Sequence, residues 1–200
     1  MIDFDQDDEE KDKKDEGHDA LALKLLETRT VIISEGISEE LARKVISQLL
    51  LLEAQDASKP IKIFVNSPGG SADSGFAIFD MLRFVKPPVI TLAVGLVASA
   101  ASIIFLAAKK TNRFSLPHAR FLLHQPSTSL QGVASDIAIT ATEIIKLREK
   151  ANELIASETG QSMEKVASDT NRDFWMSAEE ARKYGLLVKV VERRDEIEKA

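Results

Sequence analysis

The sequence predicts one α/β domain built on a mainly parallel sheet. Three observations carry that reading: strand-like and helix-like segments alternate, one strand is continuously apolar, and helix caps fall where the alternation needs them. A chain of 200 residues is long enough for one substantial core and short for two. The first helix starts at Ser38, whose side chain suits an N-cap, and runs to about Asp56 with Glu39 and Glu40 in its first turn. Leu41, Val45, Ile46, Leu49 and Leu52 recur on one of its faces. "PIKIFVNS" (60–67) follows as a strand, then "PGGSADSGFAIFDMLRFV" (68–85) as a turn and a helix. "VITLAV" (89–94) reads as a buried strand, because parallel strands covered on both faces show unbroken apolar runs. After Gly95 the texture changes, and "ASAASIIFLAA" (98–108) is richer in helix formers. "RFLLHQP" (120–126) is a further strand, stopped by Pro126. A long helix spans roughly 134–158, with Ile137, Ala141, Ile144, Ala151 and Ile155 as its apolar positions. "MSAEEARKYGLLVKVV" (176–191) gives a short helix and a last strand. There Ser177 and Glu180 form a capping box, and Gly185 fits the position just past the helix end.

Residues 89–108 are uncharged and long enough to span a bilayer. The change of texture at Gly95, with Pro87 and Pro88 at the entry, favours strand–turn–buried helix, so no membrane partner is expected. Hydrophobic residues at 44% and charged residues at 29% are ordinary for a globular chain. The absence of cysteine excludes disulfides, cysteine nucleophiles and Cys-ligated zinc. Residues 1–19 hold ten acids and three bases; since the whole chain sums to −6, the remainder sums to +1. That segment reads as an acidic, disordered tail, and residues 20–200 as the folded domain. No basic stripe with interleaved aromatics recommends a nucleic-acid partner. The tail has no basic region leading into an apolar run, so it is not a secretory signal and the chain reads as cytoplasmic.

Chemistry should gather where strands end and helices begin. "NSPGG" (66–70) and "GLVAS" (95–99) each close a strand and open a helix, and "HQP" (124–126) ends a third strand. Gly69 and Gly70 permit sharp backbone geometry, and amides there could stabilise a developing oxyanion; a plain tight turn explains them equally well. Ser99 and Ser102 both lie in an alanine-rich stretch, where serine usually serves close packing. Of the three histidines, His18 is in the tail, His118 looks like a turn residue, and His124 stands at a strand end. A serine nucleophile needs a base within reach and a third group to orient it. Spacing does not choose that group among Asp136, Asp169 and Asp173.

"NSPGGS", "GLVAS", "LPHARFLLHQP", "ETGQS" and "RDFWMSAEEARKYGL", in that order, resemble the proteolytic subunits of the Clp protease family over about residues 25–192. The resemblance implies the ClpP/crotonase fold of repeated ββα units with a protruding helical handle. It implies Ser99 as nucleophile, His124 as base, Asp173 as the orienting acid, and the amides of Gly70 and Ala100 as the oxyanion hole. No metal and no cofactor are implied. The implied partners are unfolded polypeptides and a hexameric AAA+ unfoldase docking at an aromatic pocket, which Phe64, Phe84 and Phe114 fit. Assembly is implied as two stacked heptameric rings, homo-oligomeric or mixed with a paralogue.

Three departures mark the chain as divergent: "STSLQG" (127–132) replaces a familiar glycine pair, Asn171 replaces an acid beside Arg172, and Lys62 stands where an aromatic is common. They raise a second reading, a ring subunit inactive without a paralogue. A crotonase-like acyl-CoA enzyme is the third, although a Ser99/His124/Asp173 set has no role in that chemistry.

Overall fold

Runs of β-branched and apolar residues build a seven-stranded sheet in the computed structural model, which describes residues 24–198. The strands are β1 (Thr30–Ile33), β2 (Ile61–Ser67), β3 (Val89–Ala98), β4 (Arg113–Ser115), β5 (Arg120–Leu123), β6 (Phe174–Ser177) and β7 (Lys189–Val190). Their order is β1-β2-β3-β4-β7, and the sheet forks at β3. The first half of β3 pairs with β4 (Leu92 with Phe114), and its second half pairs with β5 (Val97 with Phe121). Every pairing is parallel except β5 with β6. The helices are α1 (Glu39–Gln55), α2 (Ala72–Phe84), α3 (Ala100–Phe105), α4 (Ala134–Thr159), α5 (Met163–Asp169), α6 (Ala178–Tyr184) and α7 (Asp195–Glu198). The α/β class and the parallel sheet are as the sequence predicts. The acidic tail, residues 1–19, lies outside the described residues.

Strand alternation sorts β2 between two cores. Ile61, Ile63 and Val65 are fully buried in the main core beneath α1, α2 and α3, each contributing about 1.5–3 kcal/mol of apolar burial. Phe64 faces the other way, onto a small second core of Leu92, Phe114 and Val191. Ser38 caps α1 by accepting from the Leu41 amide, and the Ser177–Glu180 capping box forms on α6.

Two boundaries differ from expectation. The strand does not end at Gly95: β3 continues to Ala98, which moves the strand-to-helix turn onto Ser99. Gly95, at φ +86, is accommodated where the pairing with β2 shifts register, and the Asn66 carboxamide oxygen accepts from the Leu96 amide at 2.9 Å. A side chain at Gly95 would meet that same oxygen at 2.6 Å. Likewise β5 stops at Leu123, leaving His124 in the loop.

Helix α4 carries apolar residues at intervals along its length but is buried only at its end. Ile137 is exposed, whereas Asn152, Ile155, Ala156 and Thr159 are buried, so the N-terminal turns stand away from the body as a handle. Its base is anchored by the fully buried Arg113, which donates to the carbonyls of Leu106 and Ala108, both at 2.8 Å, and to Glu158. Glu158 also accepts from Arg83 at 2.6 Å. Among the described residues, no helix is long and apolar enough to cross a membrane.

Candidate active site

Ser99 occupies a single-residue turn between β3 and α3 with φ +55 and ψ −125, a conformation that a residue with a side chain adopts only when its surroundings enforce it. The enforcement is visible. The Ser99 amide donates to the Leu122 carbonyl of β5 at 2.9 Å, and its own carbonyl accepts from the Ser102 amide. The turn thrusts the Ser99 side chain out at the carboxyl end of the central strand, where it lines a cleft of about 500 Å³. Ser102, three residues on, is 1% exposed, with its hydroxyl 3.2 Å from the carbonyls of Val97 and Leu122. It is a packing residue.

The Pro-Gly-Gly turn is shaped by Ser99. A Cβ on Gly69, which sits at φ +89, would lie 2.6 Å from the Ala98 carbonyl and from the Ser99 Cβ. Gly70 bridges Ile37: the Ile37 amide donates to the Gly69 carbonyl and the Ser71 amide to the Ile37 carbonyl, both at 2.8 Å. That pattern turns the Gly70 N–H away from Ile37. The Ala100 N–H opens a helix and so has no intrahelical acceptor. Gly70 and Ala100 both line the cleft with Ser99.

His124 enters the cleft from the end of β5. The antiparallel register pairs Leu123 with Phe174, which sets Asp173 beside His124, and Nδ1 of the imidazole lies 3.3 Å from the carboxylate. The two loops are held together further on, where the Gln125 amide donates to the Thr170 carbonyl and its side chain to the Asn171 carbonyl, each at 2.7 Å. Among the described residues, no hydrogen bond joins Ser99 to His124; contacts of this kind commonly tighten around a substrate. The other acids are committed elsewhere. Asp169 accepts from Lys165 at 2.8 Å and from Tyr184 at 2.9 Å, and Asp136 is exposed on the first turn of α4. Burial and the neighbouring Asp169 together push the Tyr184 hydroxyl well above its ordinary range. His118 is an exposed turn residue.

The aromatic set separates. Phe114 is 2% exposed and supports the small second core, with Phe64 packed against it. Phe64 and Lys62 edge a shallow hollow completed by Ile90 and Leu92. Phe84, 77% exposed at the end of α2, is not part of that cluster. No group of three or more metal-ligating side chains occurs among the described residues.

Sequence reasoning missed Asn152. Among the described residues lining the cleft it is the only buried polar side chain. Its position in an amphipathic helix gave no sign of where that helix docks.

A family model for Clp protease matches residues 13–194. The chain belongs to the Clp protease family. Membership makes it a peptidase. It is 52% identical over 189 residues to the ATP-dependent Clp protease proteolytic subunit 2 of Treponema denticola, covering 94% of each chain. It is 47% identical to the protein of the same name from Pseudomonas aeruginosa, covering 93% of this chain and 96% of the other. A solved structure of a ClpP1 mutant from Listeria monocytogenes superposes with a TM-score of 0.82 at 48% identity, covering 88% of this chain and 99% of that one. The ClpP fold expected from the motifs is therefore the fold of this chain.

Proposed function

We propose that this chain is a serine endopeptidase subunit of an ATP-dependent Clp protease, acting in the cytoplasm on unfolded polypeptides. The observation that carries the reading is the contact at 3.3 Å between Asp173 and His124, which lines the same cleft as the strained Ser99. With Asp173 on the Nδ1 proton, the Nε2 of His124 is the basic nitrogen and takes the Ser99 proton as Oγ attacks the peptide carbonyl. The amides of Gly70 and Ala100 hold the oxyanion, and one such donor is worth roughly 10²–10³ in rate. His124 returns the proton to the leaving amine, and water, deprotonated in turn by His124, releases the acyl group from Ser99. No step calls for a cofactor.

A purified preparation should cleave a fluorogenic peptide and take up one fluorophosphonate per active chain at Ser99. Ser99→Ala should lose both, and Asp173→Asn should lose cleavage by roughly 10³–10⁴-fold. Labelling that survives Ser99→Ala would end the reading. The acyl-CoA alternative has no such serine, and 52% identity to a named proteolytic subunit argues against it.

A second reading is favoured by one observation: the Asp173 side chain is 64% exposed in the single chain. Neighbouring subunits, copies or a paralogue, would then complete the acid's surroundings. Cleavage that appears only on mixing with a paralogous subunit would select this form over the self-sufficient ring.

A further inference from the structure

The Gly70 N–H can serve an oxyanion only if the peptide joining Gly69 to Gly70 is held at one rotation. The covalent chain does not hold it. Glycine stands on both sides, at φ +89 and +150, so the torsions flanking this peptide meet no Cβ. The rotation is set from outside. The Gly69 carbonyl accepts from the Ile37 amide at 2.8 Å, and in a trans peptide the Gly70 N–H then points the opposite way, toward the cleft that Gly70 lines. Ile37 itself lies in the connection between β1 and α1, residues 34–38, which has Gly36 at its middle.

Ser67, the last residue of β2, ties that connection to the turn. Its hydroxyl donates to the Glu35 carbonyl at 2.6 Å and accepts from the Gly69 amide at 3.2 Å, so one oxygen grips both sides of the Ile37–Gly69 bond. The side chain is fully buried, and it does not line the cleft. Among the described residues, no other acceptor serves the buried Gly69 amide. Without the Ser67 oxygen that amide is stranded, and rotation of the turn to recover a partner is the response two glycines permit. We infer that Ser67 is a positioning residue for the reaction: by clamping the Pro-Gly-Gly turn to the β1–α1 connection, it keeps the Gly70 N–H aimed at the developing oxyanion. The inference rests on the serine-peptidase reading of Ser99 and Gly70.

A peptide aldehyde and the corresponding peptide alcohol separate positioning from packing. Both occupy the same part of the cleft, but only the aldehyde forms an adduct. The Ser99 Oγ bonds to its carbon, the serine proton passes to His124, and the carbonyl electron pair moves onto the oxygen that the Gly70 amide receives. Protection of Ser99 in the full chain from a fluorophosphonate reads both affinities. The wild type should bind the aldehyde at least tenfold more tightly than the alcohol. Ser67→Ala should lower that aldehyde-to-alcohol ratio about tenfold, while the alcohol affinity stays within twofold. Ser67→Thr, which keeps the hydroxyl, should restore the ratio to within about threefold of the wild type. Ser67→Cys, close in size but a weak hydrogen-bonding group, carries the same ratio test should the alanine variant fail to fold. A ratio unchanged within twofold would overturn the inference. So would an equal loss of both affinities, which would mean that the cleft had slackened as a whole. A wild type that labels yet binds the aldehyde no more tightly than the alcohol would overturn it too. Failure of the fluorophosphonate to label wild-type Ser99 would instead remove the serine-peptidase reading, and this inference with it.

Discussion

Ser99 and Ser102 are alike in sequence and opposite in the structure. Backbone decides it: Ser99 takes the strained turn, while Ser102 lies inside α3 with its hydroxyl against two carbonyls. Ser102→Ala therefore forfeits one buried hydrogen bond and should lower stability by about 1 kcal/mol in denaturant melts, with Ser99 labelling retained. Gly69→Ala should behave in the reverse sense. Its methyl would press on Ala98 and Ser99 at 2.6 Å, in a φ region that alanine resists, so labelling should fall by tenfold or more even where the protein still folds. An alanine variant that labels at the wild-type rate would show that the Gly69 contact does not hold the nucleophile. His124 was legible as the one histidine at a strand end, whereas Asp173 was named only by the family resemblance, because the choice among three aspartates depends on the β5–β6 register and not on spacing. That pairing brings Phe174 beside Leu123, while Lys165 and Tyr184 engage Asp169.

At the scale of elements, the long segments were legible and several of the short ones were not. Helices α1, α2, α4 and α6 carry enough periodicity and capping to be placed from sequence alone. Strands β1, β4 and β6, of three or four residues, have too few positions to show alternation and exist because neighbours pair with them. The misplaced end of β3 has a physical cause: Gly95 reads as a break, but the Asn66 side chain caps the irregularity and the strand resumes. Two element-level tests follow from the caps and anchors. In α6 the Ser177 hydroxyl and amide hold the Glu180 carboxyl below its ordinary range, so that group stabilises the fold above the usual carboxylate pKa and ceases to as pH falls through its lowered value. Glu180→Gln should flatten that acid limb of the stability–pH curve; an unchanged limb would show that the box contributes nothing. At the base of α4, Glu158→Ala would strand the fully buried Arg113, a loss of about 3–5 kcal/mol, whereas Arg83→Ala, at the exposed partner, should change stability by about 1 kcal/mol or less. Equal effects would place the two arginines on the same footing and contradict the burial difference.

At the scale of the whole molecule, the handle poses the remaining question. Ile139 and Ile145 are 64% and 57% exposed on α4, and Val133 and Leu130, at its cap and just before it, are 62% and 40% exposed. Single exposed apolar residues need no explanation, but Val133, Ile139 and Ile145, six residues apart in turn, leave apolar surface on several sides of the projecting helix, which water disfavours. The sequence reading named Ile137, Ala141, Ile144, Ala151 and Ile155 as the helix's apolar positions and passed over these, because a single-face pattern does not show that the body of the chain leaves the first turns uncovered. In the two stacked rings that the family resemblance implies, their occupant would be a second copy of this chain, handle against handle. The 127–132 segment joins His124 to the first turn of α4, so a contact on the handle would also bear on the cleft. Val133→Lys with Ile139→Lys should leave the thermal melt of the isolated subunit within about 0.5 kcal/mol, since neither side chain is packed within the chain. In sedimentation velocity the double variant should run at half the mass of the wild-type assembly, as a single ring, and its Ser99 labelling rate should fall with it. A double variant that keeps the full mass would move the ring–ring contact off the handle. One that splits yet labels at the wild-type rate would show that the cleft is complete within a single ring.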